Sequence, residues 1–374
     1  MRAHNERLVL SLVRRHQALA KSEIARMTGL SAQTVSVIMR QLEGDGLLLR
    51  GEPVRGKVGQ PSVPMRLNPD GAFFFGLKVG RRSSELVLTD FLGVVRERAR
   101  ETHDYPTPDA TLDFAISALG RMISGMTQTA RQRVSGLGIA IPFYLWDWAQ
   151  TLQVPQKKMD AWRTADLQAA LSSAVDYPVF LQNDATAACG AELVFGPSDG
   201  PRDFLYFYVG YFVGGGVVLN GAIFSGRGNA GALGPLPVPV QAGQVKPLID
   251  VASLYVLERS ITSIGSDSNL MWETAANWNL PEELLAEWLK SAAQGLAHAI
   301  VSSCSVIDFE CVKIDGWMPA KVKERLISEV ELQLSELNLT GLERPRIAAG
   351  SAGPDARSLG AASLPLSEKY LVEG

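Results

Sequence analysis

The chain has 374 residues, 46 % hydrophobic and 20 % charged, a normal globular balance that suits two or three domains with a large core. Met1–Arg7 carry no apolar signal core and no apolar stretch approaches the roughly 20 residues needed to cross a bilayer, so a cytoplasmic protein without membrane contact is expected. The net charge of −3 conceals an asymmetry: residues 1–66 hold 11 lysines and arginines against 5 acids, whereas the remainder holds 25 against 34. A compact basic end on an acidic body is what attraction to phosphates needs without making the whole chain adhere to nucleic acid. Cys189, Cys304 and Cys311 form an odd set with neither CxxC nor CxC spacing, which points to buried free thiols rather than a disulfide framework or a thiolate zinc site.

The basic end reads as a winged helix-turn-helix over residues 6–66. Leu8, Val9, Leu12 and Val13 recur at helical spacing, Ile24, Ala25 and Met27 form a second short apolar face, and Gly29-Leu30-Ser31 supplies a tight turn. Ser31 is placed to cap the next helix. There Val35, Ile38, Met39 and Leu42 repeat at i, i+3, i+4 and i+7 and face inward, which leaves Gln33, Thr34, Ser36, Val37 and Arg40 outward as a recognition helix of major-groove width. Leu47-Leu48-Leu49 is a short strand. Arg50, Arg55, Lys57 and Arg66 stud a Gly/Pro-rich wing whose tip is Gly59-Gln60-Pro61-Ser62. The predicted base- and backbone-contacting set is Ser31, Gln33, Thr34, Ser36, Arg40, Arg55, Lys57 and Gln60. The alternative, a small helical domain with a solvated basic surface, is opposed by the charge asymmetry.

From Gly71 onward strands and helices alternate. Ala72–Lys78, Ser84–Thr89 and Val94-Val95-Arg96 are antiparallel strands, the last two joined by the turn Asp90-Phe91-Leu92-Gly93. A helix over 110–130, a buried strand 135–141, a helix 165–173 and a strand 179–182 continue an α/β order. The second half repeats the plan: strands at 203–209, 215–219 and 222–224, helices near 248–264 and 282–303, a strand at 310–314 and a helix at 320–336. Two α/β lobes of similar plan with a crevice between them are the economical arrangement.

With these motifs in order, the sequence resembles the ROK family of bacterial repressors and sugar kinases, and within it the branch bearing a helix-turn-helix. The resemblance spans essentially the full length. It is carried by Gly59-Gln60-Pro61-Ser62, Gly136-Leu137-Gly138-Ile139-Ala140-Ile141-Pro142, Trp162 with Asp166-Leu167, Asn183-Asp184-Ala185-Thr186-Ala187-Ala188, Gly214-Gly215-Gly216 with Asn220-Gly221, and Gly360-Ala361-Ala362. It implies a winged helix-turn-helix at 1–68 followed by a two-lobed, actin-like or ribonuclease-H-like α/β domain at 69–374. Lobe one is expected at about 72–182 with a C-terminal helix 355–372, and lobe two at about 183–350.

The departures from the kinase pattern are as informative. Where the resemblance places the first phosphate loop, the chain reads Lys78-Val79-Gly80-Arg81-Arg82, without the carboxylate and threonine that orient metal and phosphate. The second loop reads Gly210-Tyr211-Phe212-Val213-Gly214-Gly215-Gly216, with two aromatics where backbone amides are needed. Ala232-Leu233-Gly234-Pro235 replaces the family's Glu-x-Gly-His, and Ile249 falls where a second sugar-contacting Glu is usual, so no zinc, no cofactor and no catalytic residue is expected. Asn183-Asp184 is what survives of the sugar site. In the kinases the matching Asp is a general base and the Asn binds a neighbouring hydroxyl; both also serve as caps of the following helix, and the two jobs are compatible.

The resemblance therefore implies a nucleoid-associated, homodimeric or homotetrameric regulator that binds double-stranded operator DNA. A small sugar-like effector is expected between the lobes, at Asn183 and Asp184 with Gly138, Pro142, Phe143 and Gly234. Tyr144, Trp146 and Trp148 offer either stacking for that effector or packing. An active sugar kinase with a DNA-binding appendage and a constitutive DNA-binding protein that uses the second domain only to dimerise are the competing readings.

Overall fold

The computed structural model describes residues 2–53, 63–152, 154–240 and 243–372, which divide into two compact units: residues up to Gln182 together with those from Ala361, and Asn183–Gly360. Arg55, Lys57, Gln60 and the rest of the wing tip lie outside the described residues.

The first unit opens with α1 (Arg2–His16), β1 (Ala18–Leu19), α2 (Lys21–Thr28) and α3 (Ala32–Gly44), followed by β2 (Leu48–Arg50) and β3 (Met65–Leu67) in the antiparallel order β1-β3-β2. Val9, Leu10, Val13, Ile24, Val35, Ile38, Met39 and Leu42 are buried in one core; the α3 face is the one read from sequence, whereas on α1 and α2 Leu8, Leu12 and Ala25 are only half-buried, Met27 is exposed, and the unread Leu10 is buried. Gly29 ends α2 with φ +70°, a left-handed conformation that costs glycine little, and its N–H bonds Ala25 O at 3.0 Å.

The rest of this unit is a five-stranded sheet of order β6-β5-β4-β7-β8, from β4 (Phe73–Val79), β5 (Ser83–Thr89), β6 (Val95–Thr102), β7 (Val134–Ile141) and β8 (Val179–Asn183). The predicted helix over 110–130 is two: α4 (Pro108–Gly125) stops because Met126 is extended, and Thr127 starts α5 (Gln128–Gln132) by accepting from Ala130 N at 3.2 Å. A helix cap inside a long apolar pattern breaks it, which periodicity alone misses. Short helices α6 (Ala149–Leu152), α7 (Gln156–Asp160) and α8 (Leu167–Ser172) precede β8.

The winged helix is docked on this sheet. Arg14 of α1 donates to Phe91 O and lies 5.5 Å over the Phe91 ring at the β5–β6 turn. Burial lowers its pKa to about 10, against the nearby Asp90 carboxylate, which works to raise it. Asn68 bonds Gly46 O at 2.6 Å and Arg133 Nη1 bonds Asp70 O at 2.6 Å, securing the link between β3 and β4.

The second unit repeats the sheet plan as β11-β10-β9-β14-β15, with β9 (Phe204–Val209), β10 (Val213–Leu219), β11 (Ala222–Ile223), β14 (Cys311–Gly316) and β15 (Arg346–Ala349); β12 (Pro237–Pro239) and β13 (Val245–Pro247) form a separate hairpin. Strand β15, unmarked by any pattern in the sequence, pairs in parallel with β14. Leu205, Phe207 and Val209 alternate onto the core shared with Trp288, Leu289 and Leu296 of α13 (Glu282–Cys304). Phe204, Tyr206 and Tyr208 face Ala185, Ala188 and Cys189 of α9 (Asp184–Phe195). The helix predicted near 248–264 is again split into α10 (Ile249–Ala252) and α11 (Leu254–Ser263), because Ser253 is extended and its Oγ accepts from Val213 N at 2.8 Å. The α12 turn (Leu270–Glu273) and α14 (Ala320–Glu336) complete this unit. The last helix, α15 (Ala356–Tyr370), begins in the second unit and ends in the first.

Candidate nucleic-acid interface and effector site

On α3, Ser31 Oγ accepts from Thr34 N at 3.1 Å and lies 2.9 Å from Thr34 Oγ1, so these two predicted contact residues also build the helix start. Gln33, Val37 and Arg40 are exposed, and Thr34 and Ser36 half-buried. Val37, read as outward from the sequence, is 56 % exposed, an apolar group of the size that can meet a thymine methyl. Arg50 is engaged bidentately by Glu43, at 2.7 and 3.1 Å, and belongs to the strand edge.

Asn183 ends β8 and its Oδ1 accepts from Ala185 N at 3.1 Å and Thr186 N at 3.3 Å, so its carbonyl oxygen is a helix cap. Asp184 is the first residue of α9, and its Oδ2 lies 3.1 Å from Arg357 Nη1. The Arg357 guanidinium sits 5.0 Å over the Tyr208 ring. Burial works to lower the Arg357 pKa, but the Tyr208 phenol and the Asp184 carboxylate outweigh it and hold it above the ordinary value. Burial pushes the Tyr208 phenol up to about 12, so the ring remains a neutral, π-rich face for the cation. No sequence motif pointed to Arg357, which lies 173 residues from its partner.

The two loops at the phosphate-loop positions are closed on themselves. Lys78 is buried and donates to Ser83 Oγ at 2.9 Å, while Gly80 N bonds Ser83 O at 3.0 Å across the Arg81-Arg82 turn. His103, 3.3 Å from Ser84 Oγ, has its pKa lowered to about 4 by burial and then by the charges of Lys78 and Arg81. Since the unfolded ring titrates near 6.5, the unfolded state takes up its proton first as pH falls, so stability is lost between 6.5 and 4 and levels off below. His103→Gln is expected to flatten that loss, measured by urea melts across this range; an unchanged slope would exclude His103 as its source.

In the second loop Tyr211 packs against Phe212 (4.9 Å), Trp272 (5.5 Å) and Tyr255 (6.0 Å). Leu254 N and Tyr255 N bond Gly210 O and Tyr211 O at 3.0 and 3.2 Å, which staples the loop to the start of α11. Gly214, Gly215 and Gly216 lie in β10. A Cβ on Gly214 would come within 2.8 Å of Ala185 Cβ and one on Gly216 within 2.5 Å of Cys189 Cβ, so these glycines let α9 lie directly on the strand.

Gly138 of β7 faces α15, with an added Cβ 1.8 Å from Ala361 O. Gly234 approaches Val213 O, and its own carbonyl accepts from Ile249 N at 2.8 Å. Pro142 and Phe143 follow β7, and Tyr144 beside them is exposed with φ +58°. Phe143, Tyr144 and Trp146 meet edge to face at 6.5 and 5.6 Å, and Arg163 lies 5.3 Å over Trp146. Asn183 and Asp184 are thus joined with Arg357 and Tyr208, and Gly138 is seated under the last helix. Among the described residues no group of three or more His, Cys, Asp or Glu is arranged to hold a metal, and no helix is long and apolar enough to cross a membrane.

A winged helix joined to a duplicated α/β domain, with an Asn-Asp pair at the start of α9, defines a class of DNA-binding proteins built on a sugar-kinase-like frame. Residues 74–368 match the ROK family and residues 2–48 a winged helix-turn-helix DNA-binding domain; the chain belongs to the ROK family. It is 26 % identical over 374 residues to the uncharacterized protein y4fQ of Sinorhizobium fredii, covering 98 % of this chain and 92 % of that one. It is 24 % identical to the xylose repressor of Bacillus subtilis over 235 residues, 63 % of this chain and 60 % of the repressor. Among solved structures, a ROK family transcriptional regulator homologous to the Escherichia coli MLC protein superposes with a TM-score of 0.67 at 20 % identity, over 98 % of this chain and 97 % of that one. A ROK family glucokinase from Streptomyces griseus, solved with glucose and AMPPNP, superposes with 0.59 at 18 % identity over 78 % and 99 %. At these identities the structural likenesses establish the actin-like fold that regulators and sugar kinases share.

Proposed function

We propose that this protein is a transcriptional repressor of carbohydrate or polyol genes, controlled by a small sugar-like effector at Asn183 and Asp184 and acting on operator DNA as a homodimer or homotetramer. It performs no phosphoryl transfer. The observation that carries this reading is the Asp184–Arg357 pair. The carboxylate at the kinase general-base position is engaged by a guanidinium, and Tyr211 and Phe212 fill the loop where phosphates would need amides. Asp184 Oδ1 is an acceptor of the kind a hydroxylated ligand can donate to. The xylose repressors among its relatives favour a pentose or a similar sugar.

The test is a binding titration. A duplex selected from a random library on the full-length protein should change affinity in the presence of at least one member of a panel that includes D-xylose and D-glucose. Sugar-dependent ATP hydrolysis with magnesium should stay at background. Phosphorylation of a panel sugar that disappears in Asp184→Asn would establish the kinase instead.

On the DNA side, Gln33→Ala should cut discrimination between selected and random duplex by about 1–3 kcal/mol per lost base contact, with the melting transition unchanged. Ser31→Ala should instead cost about 1 kcal/mol of stability, because the Thr34 amide loses its cap. Equal effects of the two variants on discrimination and on melting would show that α3 is not read from the Gln33 face.

A further inference from the structure

We infer that α3 reads its duplex through one stripe, Gln33, Val37 and Arg40, and that Val37 specifies thymine by its 5-methyl group. Each half-site then carries an adenine and a thymine within about three consecutive base pairs. The inference rests on the repressor reading for the presence of a duplex and goes beyond it in naming the chemical group that is read.

Helical geometry defines the stripe. At about 3.6 residues per turn, Gln33, Val37 and Arg40 fall within about 60° of one another, on the side opposite the buried Val35, Ile38, Met39 and Leu42. All three are exposed, and neither Gln33 nor Arg40 has a side-chain hydrogen bond or ion pair among the described residues. Flanking polar groups are engaged within the domain instead. Ser31 Oγ lies 2.9 Å from Thr34 Oγ1, and Gln41 Nε2 donates to both carboxylate oxygens of Asp45 at 3.1 and 3.2 Å. Of the nearby acids, Glu23 accepts from Ala20 N at 2.7 Å and Glu43 is held by Arg50. The stripe itself thus presents a cation and no carboxylate, as a surface approaching phosphates requires.

Val37 is the member of the stripe that folding does not explain. A β-branched side chain is a poorer helix former than alanine, leucine or lysine, and 56 % of this one faces solvent. The helix nearly fixes its χ1, so its two methyl groups stand at a set place and lose little rotamer freedom when a partner covers them. In the major groove the apolar group on a base edge is the thymine 5-methyl. One turn earlier, Gln33 presents a primary amide that donates to adenine N7 and accepts from the adenine amino group. Gln33 and Val37 are about 6 Å apart along the axis and Arg40 about 4.5 Å further, which together span about three base-pair steps of about 3.4 Å. Recognition helices meet base edges with their N-terminal residues, so Arg40, two turns beyond Gln33, falls to a phosphate.

The test replaces thymine by uracil, one position at a time, in the duplex that the full-length protein enriches from a random library. One thymine per half-site is expected at which uracil weakens binding about fourfold, the loss of one buried methyl group. At that position 5-methylcytosine should bind about fourfold better than cytosine, because the methyl returns without the thymine carbonyl edge. Val37→Ser should remove both differences, Val37→Thr should keep most of each with its remaining methyl, and Gln41→Ala should leave both intact. Arg40→Ala should weaken selected and random duplex alike and lower the salt slope by about 1. A selected duplex without such a thymine, or a Val37→Ser protein that keeps the uracil penalty of the parent, overturns the assignment while the repressor reading stands. If no duplex is enriched, both fail. If Val37→Ser does not fold, the uracil and 5-methylcytosine arms on the parent, with Val37→Thr, still decide whether the methyl is read.

Discussion

Gly138→Ala should destabilise the protein by about 3 kcal/mol, the upper part of the range for overpacking a core. The new methyl carbon would lie 1.8 Å from the Ala361 carbonyl oxygen and 3.2 Å from Pro365 Cδ. The first is backbone and the second a ring, so neither can swing aside as a long side chain would. The strand or α15 must move, and the packing that surrounds Tyr370 and Phe91 moves with it. Gly120→Ala is the control of opposite sign: nothing lies within 4 Å of a Cβ there and the residue is inside α4, so alanine should stabilise by about 0.5–1 kcal/mol. Urea denaturation measures both, and a Gly138→Ala midpoint equal to that of the parent would mean that α15 does not lie on β7.

Glu192→Ala should be still more costly, about 3–5 kcal/mol, because it leaves the Lys313 ammonium buried without its counter-charge. Side-chain exposure is 1 % for Glu192 and 7 % for Lys313, and the same carboxylate accepts from Ser351 N and Ser351 Oγ at 2.7 Å each. The pair joins α9 to the centre of β14, two elements separated by more than a hundred residues of chain. Combining Glu192→Leu with Lys313→Met should recover part of the loss, since no lone charge remains, but not all of it, since the Ser351 amide still lacks an acceptor. Thermal or chemical melts of the single and double variants decide this; a double variant less stable than Glu192→Ala would assign the effect to volume rather than charge.

The family was legible in the sequence because its evidence is local and ordered. The α3 face is set by a four-position apolar repeat and a serine cap, and helix α14 is bounded where periodicity placed it. Most strands of the two five-stranded sheets were found within about two residues, but β6 was read only to Arg96 whereas it continues to Thr102, and β15, with four residues, has too few to develop a pattern. The helices at 110–130 and 248–264 were overextended because Thr127 and Ser253 act through hydrogen bonds that apolar spacing does not register.

By itself, then, the chain determined most of its element types and its basic DNA-binding end, which depend on neighbours within a few turns. Only the tertiary structure decided what Asp184 touches, why Gly138 and Gly360 are glycines, and that the C-terminal tail reaches α1. The physical reason is the same in each case. A buried ion pair, a backbone-to-backbone approach and a tail contact depend on atoms 173, 223 and 361 positions apart, and no periodicity in the intervening chain encodes which of them will meet.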